Sequence, residues 1–507
     1  MKSIRSKLLI YILIFAFVFI AVTIASQSSF LFRLNDWYDA NCYFSVGKKV
    51  LSGGVIYRDI YEQKGPYIYF VHALALLISN TNYYGIYLIE LICGFFVGVG
   101  IYKIMNLFFE NKKKSILLTL LAITAYYVAP AFAQGDSVEE LLMPFFMFSL
   151  YFSIKSLKLK KSYNFFEALF LGLTLGFALF TKFTLIVIPG IFLFLVFIFD
   201  MKDKRISHGL LNLFIEVLGL GIAMAPVILY FGLNHATHDL YQAYFYNNIF
   251  VYSSAGDGTG LSLLQKIGNF FLGLGISVGA NYPVYLFLII SLIFAIRHKL
   301  MKNRIVIFTL LSFLTVLILT YIGGRLYVYY AMALSVFGAM GVVGFGMQYE
   351  YWVKLPNFVK KVGAKFVLVF IPFLLLWQLV LNEDVWCMFR KSDSYPQYQM
   401  SEYIKEYKKA NPNEEVTLLN YGFLDCGLYL MTDTTPTCKY FVGLNINLKE
   451  LQDTQDEFVK EGKVTFVVSS DLTPKDVDLK YTLVKELDGY REWAMHKFYL
   501  YKLKTNN

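Results

Sequence analysis

Between residues 29 and 83, Asp36, Asp39, Lys48, Lys49, Arg58, Asp59, Glu62 and Lys64 lie embedded in aromatic and apolar sequence. A carboxylate in such surroundings can take a proton from a hydroxyl, and a neighbouring cation can hold an anion as its charge develops. Further along, Lys182 is the one charge in a three-residue turn between two apolar runs. Glu139-Glu140 opens another run, and Arg325 precedes a third. Each residue also has a plainer reading. Asp39 could cap a helix, Lys64 and Lys182 could snorkel from helix ends, and Asp59 could simply pair with Arg58. His235-x-x-His238-Asp239 has a spacing that could bind a metal, but short histidine pairs arise by chance, so no metal site is assigned and no cofactor is required. Cys426 and Cys438 could bridge or remain free thiols.

The elements that must position these residues are set by composition. The chain has 507 residues, of which 57% are hydrophobic and 16% charged, with a mean hydropathy of +0.53. Soluble domains carry about 25% charged residues, so this is a polytopic membrane protein. Five cysteines exclude a disulfide scaffold, and the apolar content excludes a disordered chain. Runs of about 20 apolar residues predict eleven spans, near 8–28, 84–109, 115–133, 141–157, 165–181, 184–199, 209–231, 279–296, 305–321, 327–347 and 366–381. Basic residues cluster at the N-terminus and in 112–114, 155–161, 202–205, 297–304 and 354–365. By the positive-inside rule these lie in the cytoplasm, together with the N-terminus. The alternate segments, including 29–83 and 232–278, then lie outside. The net charge of +10 is thus topology signal, and nucleic-acid binding is not expected.

Two organisational expectations follow. Residues 1–381 form a transmembrane domain, and 382–507 form an external soluble α/β domain, with strands near 416–420, 464–470 and 497–503 and a helix over 446–460. Within 29–83, helical spacing over 39–53 and an apolar run at 67–78 preceded by Pro66 predict two interfacial helices flanking a charged turn.

The order Asp39-x-x-x-Tyr43, a short helix, Tyr57-Arg58-Asp59 and Lys64-Gly65-Pro66 resembles the first external loop of GT-C glycosyltransferases. The likeness is to the bacterial branch related to protein O-mannosyltransferases and aminoarabinose transferases. Gly172-x-x-x-Gly176-x-x-x-x-Thr181-Lys182, Glu139-Glu140, Gly324-Arg325-x-Tyr327-x-Tyr329-Tyr330 and Pro436-x-x-Lys439-Tyr440-Phe441 extend the resemblance over most of the chain. It implies a GT-C type fold of about eleven transmembrane helices. It also implies transfer of a sugar from a polyprenyl-phosphate donor, with inversion, to a glycan, lipid or protein acceptor on the outer face of the cell membrane. Asp39 would be the general base, and Lys64, Lys182, Arg325 and Arg58 would bind the donor phosphate. Tyr43, Asp59, Glu139, Glu140 and Tyr329 would contact sugar or acceptor. Asp39-Ala40 stands where relatives often carry Asp-Glu, and Tyr329 where many carry His, so a paired-acid or metal-assisted site is not supported. A phosphate leaves as an anion, so one carboxylate base suffices. Competing readings are a transporter or flippase for lipid-linked sugars and a membrane anchor displaying the tail. Charge gathered at the ends of spans favours the transferase.

Overall fold

α1 (Lys2–Ala25), α4 (Tyr84–Phe108), α5 (Lys112–Val128) and α6 (Val138–Leu159) begin a predominantly helical chain. The computed structural model describes residues 2–252, 262–352, 373, 382–391, 394–446, 448–491 and 494–504. Packing divides the chain into two compact units. One comprises Met1–Ser29, Leu88–Pro226 and Leu261–Trp386; the other comprises Phe30–Tyr87, Val227–Gly260 and Cys387–Asn507.

The first unit also holds α7 (Phe165–Leu179), α8 (Val187–Lys202), most of α9 (Ile206–Leu233), α11 (Leu263–Ala280), α12 (Tyr282–Arg297), α13 (Arg304–Tyr321) and α14 (Gly338–Trp352). Local signals start these helices where the sequence places them. The Asn111 side chain accepts from the amides of Lys113 and Lys114, Ser137 caps α6, and Asn164 and Glu167 form a reciprocal capping box on α7. Glu167 therefore belongs to a helix terminus, where Lys155 also pairs with it at 2.6 Å.

Eight helices among the described residues are long and apolar enough to cross a membrane. Seven fall on expected spans. The expected spans 115–133, 165–181 and 279–296 appear as shorter helices of 17, 15 and 16 residues, while 366–381, like the basic segment 354–365, lies outside the described residues apart from Phe373. The eighth long helix corrects an expectation. Residues 232–278, read as a loop, contain α10 (Thr237–Leu240), a π-helix at Tyr241–Val251 and the 18-residue α11. Gly268, Gly273, Gly275 and Gly279, with Lys266 and Asn269, dilute the hydropathy of α11 to the joint lowest among the eight. It nevertheless starts in a capping box made by Ser262 and Gln265. Because α11 falls inside a segment counted as a loop, the alternation of basic segments does not by itself orient the chain.

In the second unit, α2 (Tyr38–Leu51) and α3 (Pro66–Ile78) match the expected helix pair, with Pro66 in the first turn of α3. The tail contributes a four-stranded sheet ordered β1 (Leu418–Tyr421), β2 (Phe466–Ser470), β4 (Ala494–Leu503), β3 (Tyr481–Arg491). β1 and β2 pair in parallel, and the remaining pairs are antiparallel. The strands expected near 416–420, 464–470 and 497–503 are β1, β2 and β4, and the expected helix runs over Lys449–Glu461. Lys485, Glu486 and Asp488 break the apolar pattern of β3, so the sequence does not signal that strand. Such charges suit an edge strand. All five cysteines are free.

Candidate active site

The charged turn is assembled by its own backbone. Tyr57 adopts φ +67°, its amide donates to the Ile60 carbonyl at 2.7 Å, and the Asp59 amide donates to Val55 O at 2.8 Å. The Tyr57 and Tyr69 hydroxyls both donate to the Lys64 carbonyl. Glu62 accepts from the Lys64 amide at 2.9 Å and from the Tyr69 hydroxyl. Tyr43, Tyr57 and Tyr69 are fully buried, and burial pushes the Tyr57 phenol well above its ordinary range. Each buried ring contributes on the order of 2 kcal/mol, which fixes the turn against α2.

This scaffold brings Asp39 and Lys64 together. Asp39 Oδ2 lies 3.0 Å from Lys64 Nζ, with the two side chains 19% and 17% exposed. The Tyr43 hydroxyl approaches the same oxygen at 3.5 Å, and Lys64 Nζ stands 5.7 Å from the Tyr43 ring centre. The capping alternative for Asp39 fails, because the N-cap of α2 is Trp37 and Asp39 lies inside the first turn. There it is favourably placed by the helix dipole and keeps a fifth of its side chain exposed.

Arg58 and Asp59 sit elsewhere in this unit. Arg58 forms a two-pronged pair with Asp59 at 3.0 Å and donates to the Asn234 carbonyl beyond α9 at 2.9 Å. The guanidinium beside Asp59 holds that carboxyl below its ordinary value. Asp36 accepts from Gln397 at 3.3 Å. His235, at φ +54°, precedes α10, which carries His238 and Asp239. Among the described residues, no group of three His, Cys, Asp or Glu is arranged to hold a metal ion.

The remaining predicted residues belong to the first unit. Lys182 Nζ lies 2.5 Å from Glu139 Oε1 and 4.0 and 5.2 Å from the ring centres of Tyr330 and Tyr329. This cation is held by one carboxylate and two aromatic faces. The Glu140 amide donates to the capping Ser137 side chain. Glu140 Oε2 accepts from the Asp136 amide at 2.8 Å. Arg325 is half-buried beyond Gly324, whose φ of +74° turns the chain into Tyr327.

Residues 63–230 match the family described as Dolichyl-phosphate-mannose-protein mannosyltransferase. ArnT from Cupriavidus metallidurans bound to undecaprenyl phosphate superimposes with a TM-score of 0.62 at 14% identity, over 96% of this chain and 97% of that one. Its apo state does so with the same score and identity, over 99% and 98%. The chain has the fold of these ArnT structures, and its residues 63–230 are similar to the mannosyltransferase family. It is a multi-pass membrane protein with that fold. No curated protein matches the sequence. The matched segment contains Lys64, Glu139, Glu140 and Lys182, whereas Asp39, Arg58 and Arg325 lie outside it.

Two groups central to the geometry receive no role from the sequence. Glu62 is 5% exposed and organises the turn. Glu90 accepts from Ser26 Oγ and from the Asp136 amide. An acid two residues before a predicted phosphate ligand was a signal available for Glu62. The partners of Glu90 are too distant in sequence to have been found.

Proposed function

We propose that this chain moves a sugar from a polyprenyl-phosphate donor to an acceptor on the outer face of the membrane, with inversion, using Asp39 as general base. The observation that carries the reading is the Asp39–Lys64 pair, a carboxylate on α2 and an ammonium on the charged turn held 3.0 Å apart. A polyprenyl-phosphate donor is supported by the dolichyl phosphate in the matched family's description and the undecaprenyl phosphate bound to the ArnT crystal structure.

The chemistry runs in one displacement. Asp39 accepts the acceptor hydroxyl's proton as that oxygen bonds to the anomeric carbon. The bond from that carbon to the phosphate oxygen breaks, and polyprenyl phosphate departs as an anion. At rest Lys64 neutralises Asp39. A donor phosphate competes for Lys64, so donor binding itself frees the carboxylate to act as a base. Lys182, held by Glu139, Tyr329 and Tyr330, is itself a candidate for the phosphate, as are Arg325 and Arg58. Tyr43, Asp59, Glu139, Glu140 and Tyr329 are candidates for sugar or acceptor contacts. The outer face is supported by the crowding of basic residues at the N-terminus and in 112–114, 155–161 and 202–205, the segments that alternate with 29–83 ahead of α11.

The test is transfer from a panel of radiolabelled polyprenyl-phosphate sugars in membranes containing wild type or Asp39→Asn. Transfer that disappears in a normally expressed Asp39→Asn variant is the expected result. Transfer that persists would move the base to Asp36 or Asp59. Lipid translocation without turnover of any donor would replace the transferase by a transporter.

A further inference from the structure

A cavity of about 300 Å³ opens between α7, α8 and α9, far in sequence from Asp39. Its wall is apolar along Leu193, Phe194, Val217 and Leu220, and one end is polar, formed by Asp200, Asn212 and Glu216. Phe194 and Val217 are both 57% exposed, so the mouth faces outward from helices of membrane-spanning length. Glu216 is 8% exposed and forms no hydrogen bond or ion pair among the described residues, although it lines the cavity. A buried carboxyl with no partner is costly and, in a spanning helix, marks a ligand position by default.

Charge decides what that ligand is. Asp200 is already paired with Arg205 at 2.5 Å, which leaves the Glu216 oxygens to receive a donor. Arg205 also donates to the Lys160 carbonyl, so the two chain segments at this end, Lys160-Lys161 and Lys202 to Arg205, are both basic. A molecule that fits presents an ammonium to Glu216, a phosphate to the basic rim and hydrocarbon to the apolar wall. We infer that the groove between α8 and α9 binds an aminophospholipid from the surrounding bilayer, with its ammonium on Glu216. Gly190 makes room for it. A Cβ added there meets nothing within 4 Å, so the space belongs to the cavity and not to packing.

The experiment uses the full-length protein purified in detergent and titrated with phosphatidylethanolamine, phosphatidylcholine or phosphatidylglycerol. Bound lipid is counted by native mass spectrometry. Wild type is expected to retain the ethanolamine lipid in preference to the other two. Glu216→Gln is expected to lower that retention by about tenfold or more, the scale of one charge-assisted hydrogen bond. Gly190→Leu, which fills the space while raising helix propensity, is expected to abolish it. Equal retention of all three lipids by wild type overturns the proposal, as does wild-type retention of the ethanolamine lipid by both variants. A preference for the glycerol lipid overturns it too, since that would make the site anion-binding.

Discussion

Asp39 and Lys64 neutralise each other in the resting enzyme, so substituting either changes more than one role. On the proposed mechanism, removing a general base costs about 10²- to 10⁴-fold in rate. Lys64→Met should instead raise the apparent KM for the donor and weaken transfer. Because both residues serve one step, Asp39→Asn combined with Lys64→Met should be no slower than Asp39→Asn alone. Multiplicative losses in initial-rate kinetics would mean that the two act separately. Lys182 and Glu139 make a different case, because Glu139 is only 2% exposed. Lys182→Met strands that carboxylate, which costs about 3–5 kcal/mol, and should lower the amount of folded protein in membranes. Adding Glu139→Gln should restore it. Failure of the double variant to recover would show that Lys182 stabilises through the Tyr329 and Tyr330 faces instead.

At the scale of elements, the loop between α5 and α6 depends on one glycine. Gly135 has φ +82°, and an added Cβ would meet Glu90 Oε1 and Ser26 Oγ at 2.6 Å. Those atoms belong to the hydrogen-bonded knot of Ser26, Glu90 and the Asp136 amide. Gly135→Ala should therefore destabilise by about 1–3 kcal/mol, visible as a lower unfolding temperature in detergent. An unchanged temperature would mean the knot yields freely. Nothing in the sequence around Gly135 announces this constraint, because its partners lie just beyond α1 and in α4. The α2–α3 pair was legible, since helical spacing and Pro66 are local signals, and so were β1, β2 and β4. α11 was not, because glycines thin its apolar face while its capping box still starts the helix. The site shows the same split. The turn from Tyr57 to Pro66 could be read residue by residue, but the pairing of Lys182 with Glu139 rests on side chains 43 positions apart.

For the molecule as a whole, the arrangement least visible in the sequence is the packing of the tail with residues 30–87 in one compact unit. Lys48 reaches Asp433 at 2.5 Å across 385 positions, Ser45 donates to Asp425, and the Tyr61 amide donates to Lys439 O at 2.9 Å. The tail thus grips α2, the helix whose first turn holds Asp39. One of these contacts titrates. Burial pushes the Asp425 carboxyl from 3.8 up to about 6, against the opposing bonds from Ser45 and the Gly427 amide. Between those values the folded state binds a proton that the unfolded chain has released. Stability therefore falls as pH rises from about 4 to about 6 and is flat above, with a total loss of about 3 kcal/mol. Asp425→Asn keeps an acceptor for both donors and has no charge to bury. Thermal unfolding of the two full-length proteins across that range should diverge with rising pH, with the variant melting higher at pH 7.5. Parallel curves would show that Asp425 ionises without cost, and the tail's grip on α2 would then have to rest on Lys48, Tyr61 and their partners.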